Sequence, residues 1–529
     1  MRATRNARVL AATVVVALLA AAVHFVLCQR YGRLAFDLHY DDVAYATEAA
    51  DRLEDLAAGG LPGFAHALVA HPPHSPWMVL QAMVAFSVAG LRDEALYASN
   101  AWILVAAALA VVAILRGRPL AVVALGVAAL VSSPLAFAIM SEFRPDLLLG
   151  LVTALLAWVL ARKPSRHAVP IAGFLMGMAL LVKPTFFAHT LAIAFAAGVA
   201  GMVVSRMPSA LATDAPKWSA RQLVLALLLG CAIAVPYAVI GGKQILGYFW
   251  ANTYGENRNV WNYAAELPLA VVAEQSLPFL FKLGRFDGPA TCAAALSFAF
   301  LLAGRRQRPE AWRVAQLLAL AGLSAAIIVL GRQRSSYFFA TMHWLLFFAA
   351  LEGYAAFEAT TPPASRWRPR TGFAVLLVAL AIANGAMTFP LFPDYTRRGS
   401  SWNARIVALV QEDLRRHPVS DPQGPRILVA SGGPVNRGSL LWVARGRGLR
   451  FVAPEMLMVA DGVAAQAVAR SSDYIVVPRP TIETDDAALP VREIQVPLLR
   501  QMRSDARFQP LSTLAPGDAF EVYANRQRD

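Results

Sequence analysis

Two adjacent carboxylates, Asp41 and Asp42, stand in the stretch HYDDVAYATEA shortly after the first apolar run of the chain. Side by side they repel each other, and beside a bilayer they lose water, so both ionised forms are costly there. They open a run, DDVAYATEAADRLEDL, in which Val43, Ala46, Ala50, Leu53 and Leu56 recur at helical spacing. Acids at a helix start satisfy free N–H groups and complement the helix dipole. A carboxylate held just above a membrane has a second use, as a group that receives an acceptor hydroxyl. A helix N-terminus keeps it ionised and makes it a weaker base, so its help would lie chiefly in orienting the hydroxyl.

Further stretches carry polar chemistry. HPPHSPW, His71 to Trp77, reads as a rigid turn. His66, His71 and His74 either line a polar interface or join Asp41 and Asp42 around a divalent metal, although their spacing matches no established ligand pattern. SEFRPDLLLG sets Glu142, Arg144 and Asp146 at the end of two apolar runs, where an Arg144–Asp146 pair either staples two helix ends or meets a substrate. LLVKPTFF holds one lysine, Lys183, between apolar runs; it either snorkels to the interface or neutralises a lipid phosphate. GRQRSSYFF supplies Arg332 and Arg334, guanidinium groups able to grip a phosphate bidentately, with Tyr337 beside them. The stretch GYFWANTYGENRNVWNY, 247–263, offers aromatics and amides that serve either as interfacial anchors or as cover for a sugar.

The elements that must position these residues are membrane helices. The 529 residues are 57% hydrophobic and only 16% charged. Apolar runs of spanning length recur at about 8–28, 97–115, 119–138, 146–161, 168–182, 185–204, 222–240, 286–303, 314–331, 337–357 and 371–389, some eleven in all. Segment 76–91 is apolar but short, and is expected to lie at the interface. The net charge of +14 does not point to nucleic acid, because the basic residues punctuate the ends of apolar runs. With the N-terminus inside, Arg2, Arg5 and Arg8, Arg116 and Arg118, Arg162, Lys163 and Arg166, and later clusters through Arg370 all fall on cytoplasmic connections. Two long loops, 29–96 and 241–285, then lie outside, as do the ends bearing Lys183, Arg332 and Arg334. The three cysteines show no pairing or zinc pattern.

After residue 392 the character changes. PRILVASGG and DYIVVP read as short buried strands, VAAQAVARS as a helix, and a last pair of strands is expected near 508–513 and 519–524. The expected organisation is a polytopic α-helical membrane domain over 1–392 and a small α/β domain over 393–529. That domain has no nucleophile elbow, P-loop or dinucleotide fingerprint.

Together these motifs resemble the GT-C glycosyltransferases, in particular the protein O-mannosyltransferases and the lipid A aminoarabinose transferases. DDVAY stands where many relatives carry an acidic pair, HPPHSPW looks like the HPP turn that follows, and FRPDLLLG is similar to the RPD-type segment. LVKP and RSSYFF resemble the family's lysine–Pro turn and basic-aromatic span start, with order and spacing in agreement over 40–350. Departures are the Asp at the second acidic position, Ala44 where an aromatic is frequent, and His-Ser after HPP. The resemblance implies an inverting transfer of a sugar from a polyprenyl-phosphate donor to a lipid, glycan or protein acceptor, with no covalent glycosyl-enzyme. Asp41 would be the acceptor-activating carboxylate with Asp42 its neighbour. Lys183, Arg332 and Arg334 would hold the donor phosphate, and Tyr337, Arg144, Asp146 and His71 would line the substrate site. This reading assigns no definite cofactor and leaves a divalent metal open, because the superfamily includes metal-dependent and metal-free members. The expected place is a bacterial inner membrane, N-terminus cytoplasmic and C-terminal domain periplasmic. Two readings from other classes compete: a flippase of lipid-linked sugars, which predicts ionisable groups at mid-membrane, and a membrane-anchored binding protein.

Overall fold

A computed structural model describes residues 2–31, 34, 37–38, 40–205, 218–255, 258, 262–263, 266–284, 308–332, 336–360, 402–431, 433, 435–456, 459, 461–479, 491–511 and 520–527. Among these the chain is mostly helical. In order, the helices are α1 (Arg2–Tyr31), α2 (Tyr40–Ala70), α3 (Pro76–Ala89), α4 (Asp93–Ala98), α5 (Ala101–Ile114), α6 (Leu120–Val131), α7 (Pro134–Ser141), α8 (Pro145–Leu160) and α9 (Ala168–Val182). There follow α10 (Phe187–Ser205), α11 (Ala220–Thr253), α12 (Leu269–Gly284), α13 (Arg308–Leu330) and α14 (Ala340–Thr360). Short 3₁₀ turns at Pro184–Phe186 and Ser336–Phe339 lead into α10 and α14.

Five stretches are long and apolar enough to cross a membrane: Ala7–Arg30, Asp93–Ile114, Pro184–Val203, Ala220–Thr253 and Trp312–Leu330. A sixth arises if α6 and α7, bent by 50° at their junction, form one broken span. The chain is therefore a multi-pass membrane protein. The expected runs at 286–303 and 371–389 lie outside the described residues, so the total of eleven stays an expectation. Within segment 76–91, Pro76–Ala89 forms the short apolar helix α3.

One expected loop is largely helical. Hydropathy predicts an outer loop over 241–285, yet α11 runs on through Pro236 to Thr253, and α12 occupies Leu269–Gly284. The reason is tertiary. Beyond the apolar run α11 packs on the HPP turn: Tyr237 Oη donates to the Pro73 carbonyl. Gly241 comes so close to Pro72 that an added Cβ would lie 3.2 Å away. The His74 and Tyr248 rings meet edge to face at 4.6 Å.

The chain divides into two compact units, one of Met1–Leu27, Arg52–Ala85 and Leu96–Leu391, the other of Cys28–Asp51, Phe86–Ala95 and Phe392–Asp529. The first unit is a helical core rich in buried Leu, Val and Ala from α5 to α10, α13 and α14. Its helices are apolar all round, as buried or lipid-facing helices are, and small residues let them approach closely. A Cβ on Gly173 would stand 2.7 Å from Leu229 Cβ, and one on Gly177 2.6 Å from Ile233 Cβ, which locks α9 to α11. At Gly150 it would stand 2.7 Å from the Ala340 carbonyl carbon, which sets α8 against the start of α14.

The second unit contains the α/β fold expected after residue 392. Strands β1 (Ile427–Val429), β2 (Tyr474–Pro478), β3 (Phe508–Pro510) and β4 (Phe520–Asn525) form one sheet in the order β1-β2-β4-β3. The β1–β2 pair is parallel and the others antiparallel. Helices α15 (Trp402–Arg416) and α16 (Arg437–Gly446) cover one face, packing on Ile427, Val429 and Val476. Helices α17 (Gly462–Arg470) and α18 (Val491–Ser504) cover the other, on Leu428, Ile475 and Val477. Burial on both faces explains why β1 and β2 read as unbroken apolar runs.

Candidate active site

In the first unit, two helix ends meet with opposite charge. Pro145 and Asp146 open α8, a proline at the first helical position followed by an acid that complements the N-terminal dipole. Lys183 ends α9, and Pro184 after it holds the lysine backbone extended, with φ −144° and ψ 83°. Lys183 Nζ lies 2.5 Å from Asp146 Oδ1, and the side chains are 14% and 5% exposed.

Two aromatic rings stand beside the pair. The ammonium sits 4.6 Å from the Phe338 ring centre and 5.3 Å from that of Phe186. The two rings stack on each other at 5.3 Å and 25°. An ammonium has three donors; Asp146 takes one, and the ring faces add attraction without accepting a proton. What this cage makes is a fixed, partly desolvated cation that, among the described residues, gives one donor to Asp146, and a cation of this kind suits a phosphoryl oxygen.

The neighbouring chain is pinned by hydrogen bonds. Ser75 Oγ donates to the Val182 carbonyl at 2.5 Å, tying the HPPHSPW turn to the residue before Lys183. Arg52 donates to the carbonyl of His71, whose side chain is exposed. The extended segment Glu142–Arg144 is held where Asn100 Nδ2 donates to the Ile139 and Glu142 carbonyls at 2.8 and 2.9 Å. Gln81 in turn donates to Asn100 Oδ1 at 2.8 Å. Arg144 faces Glu142, with Nε 3.6 Å from Oε2, so the Arg144–Asp146 staple is replaced by two pairs, Arg144 with Glu142 and Lys183 with Asp146.

Arg332 follows α13 in the left-handed region at φ 57°, an unusual conformation for a residue with a side chain. Its amide donates to the Val329 carbonyl, and its own carbonyl accepts from Tyr263 N at 2.8 Å. The aromatic stretch 247–263 is thereby joined to the segment that supplies Phe338. Arg334 and the Tyr337 side chain lie outside the described residues.

Asp41 and Asp42 belong to the second unit, in the first turn of α2. Asp41 is exposed and Asp42 is 0% exposed, so the pair is split between solvent and interior. Nearby, burial pushes the Asp37 carboxyl above its usual range, partly opposed by Asn403, which donates to it at 3.0 Å. Among the described residues no group of three or more His, Cys, Asp or Glu side chains is placed to hold a metal ion.

Sequence reasoning finds Lys183 and Asp146 but misses their mutual pairing and the cage. Phe186 and Phe338 both belong to doubled aromatics, TFF and YFF, and a doubled aromatic beside each basic segment is the signal the chain carries.

The described chain is a multi-pass helical membrane protein with a small α/β sheet fold. In agreement, the chain shares its fold with ArnT from Cupriavidus metallidurans, solved as a crystal structure in the apo state. The TM-score is 0.58 at 12% identity, over 97% of this chain and 98% of that one. The likeness is one of fold, the GT-C fold expected from the motifs. No protein-family model matches the chain, and no curated protein does.

Proposed function

We propose that this protein is a GT-C glycosyltransferase that moves a sugar from a polyprenyl-phosphate donor to an acceptor at the outer face of a bacterial inner membrane. The observation that carries this reading is Lys183, a caged cation at the end of an apolar helix, beside which an anionic lipid headgroup would find charge neutralisation. In the reaction, an acceptor oxygen bonds to the anomeric carbon while the bond from that carbon to the phosphate oxygen breaks. The electron pair leaves with the polyprenyl phosphate, and the hydroxyl proton passes to a carboxylate, for which the exposed Asp41 is suited. Lys183 offsets the negative charge that grows on the leaving phosphate, and Asp146 orients Lys183. Direct displacement inverts the anomeric centre.

The test is transfer by the purified protein from defined polyprenyl-phosphate sugars, comparing wild type with Asp41→Asn and Lys183→Ala. Removal of one stabilising group of this kind costs about 10²–10³-fold in turnover, and that loss is expected for Lys183→Ala. Equal turnover in all three proteins would remove both residues from the site. Movement of the lipid-linked sugar across proteoliposomes without transfer would establish the flippase reading instead.

A further inference from the structure

We infer that the C-terminal α/β domain is a positioning element for the acidic helix start, and that one face of α16 carries out this role through Gly438, Trp442 and Arg445. The inference rests on the proposed sugar transfer for its catalytic meaning, but its structural content stands apart from it. The three residues fall at i, i+4 and i+7, on one side of the helix. Each meets a different piece of the segments that join the domain in the second unit.

Gly438 receives Val43, two positions after Asp41: a Cβ built on Gly438 would lie 2.8 Å from Val43 Cγ1. Val43 is 3% exposed and β-branched, so it has little freedom to turn aside. Trp442 Nε1 donates to Asp93 Oδ1 at 2.7 Å, and its ring stacks on Phe86 at 5.6 Å and 26°. Arg445 reaches Asp51 Oδ1 at 2.5 Å, about three helical turns after Asp41. A second helix adds to this: Asn403 of α15 donates to Asp37 at 3.0 Å and lies 3.3 Å from Ser439 Oγ.

The N-terminus of α16 is itself fixed. Asn436 and Ser439 form a reciprocal capping box, with Ser439 N donating to Asn436 Oδ1 at 3.0 Å and Asn436 N to Ser439 Oγ at 2.9 Å. Helix α16 thus bears on the start of α2 at Val43 and Asp51, and α15 holds Asp37 before it; within this stretch Asp41 is exposed and Asp42 buried. A free-standing periplasmic domain would need none of these contacts.

The test uses the full-length protein and the pair Gly438→Ala and Gly438→Ala/Val43→Ala. The added methyl forces Val43 away; shortening Val43 gives the space back. Amide hydrogen exchange over 41–51 is expected to rise at least about tenfold in the single variant and to return to the wild-type rate in the double. Turnover is expected to fall about tenfold and recover in step, with KM for the polyprenyl donor unchanged within about twofold. Unchanged exchange over 41–51 in the single variant overturns the inference, as does a loss that the double variant fails to restore. Restored exchange with no transfer by any form keeps the positioning role and defeats the glycosyltransferase reading. Arg445→Lys, which keeps the charge, separates the ion pair from packing: near-normal exchange with this variant and increased exchange with Arg445→Ala are both required.

Discussion

Lys183 and Asp146 form a pair that water barely reaches, and such pairs are valued less for their own stability than for what happens when one member is missing. Removing one partner of a buried ion pair costs about 3–5 kcal/mol, because the other charge is left uncompensated. Asp146→Asn should therefore melt well below wild type, and Lys183→Ala should as well. The two variants should then part company. If the ammonium exists to meet a phosphate, an anionic polyprenyl phosphate supplies the charge that the substituted amide cannot. The expected result is a thermal shift on adding that lipid that is larger for Asp146→Asn than for wild type and absent for Lys183→Ala. Equal shifts in all three would place the lipid elsewhere. The residues of this pair are legible because each sits at a helix end with its own chain signature, RPD opening one helix and KP closing another. Their pairing is not, because it joins positions 37 residues apart through the turn of two helices, and no local rule selects Asp146 over Glu142 as the partner.

Elements position that pair, and here glycine sets the distances. Gly150 lies one turn after Asp146 on α8 and lets the helix touch the Ala340 backbone at the start of α14, directly after Phe338 and Phe339. A methyl there meets backbone that cannot swing away. Gly150→Ala should cost about 1–3 kcal/mol as an overpacked core does, and should lower turnover as well, because the same contact sets Asp146 against the Phe338 turn. Gly322→Ala, where an added Cβ meets nothing within 4 Å, is the matched control and should leave both unchanged. A loss of stability with full activity at Gly150 would show that the helix contact is merely structural. Apolar runs, helix ends and the four strands of the C-terminal sheet can all be read from the chain, since hydropathy and period are local properties. The length of α11 cannot. Its last turns leave the apolar run and are held by Pro72, Pro73 and His74, contacts that exist only once the chain is folded. The face of α16 is not legible either, because nothing in the sequence names Val43, Asp93 and Asp51 as what it meets.

At the scale of the whole molecule the net charge of +14 makes acid a particular stress, because every carboxylate that protonates adds to self-repulsion. In the second unit two carboxylates fasten the helical layers to the sheet. Asp413 of α15 receives both terminal nitrogens of Arg526 at 2.5 and 2.9 Å and the Tyr474 hydroxyl of β2 at 3.0 Å. Burial pushes its carboxyl up, but Arg526 and Tyr474 outweigh that and hold it below its usual value. Glu521 of β4 meets Arg503 of α18 at 2.5 Å and Arg479 at 3.2 Å. Burial again opposes and the arginines with Tyr523 again prevail, so its carboxyl is also lowered, while burial and Glu521 push the Tyr523 hydroxyl up to about 12. A carboxylate whose folded pKa is depressed binds fewer protons folded than unfolded near its ordinary value. Its stabilisation is therefore complete above the unfolded values of 3.8 and 4.5 and is lost as pH falls through the lower folded ones. Amide protection over β2 and β4 in the full-length protein should be flat from neutral pH to about pH 5 and should decline below about pH 4. Asp413→Asn should remove about 1.5–3 kcal/mol at neutral pH, the worth of hydrogen bonds to a charged group. The difference between variant and wild type should shrink as the pH falls below the carboxylate range, since there wild type carries a neutral acid at the same place. A gap that persists undiminished at low pH would mean that Asp413 acts through its shape and not its charge, and the acid sensitivity of this unit would have to arise from other lowered carboxylates such as Glu521.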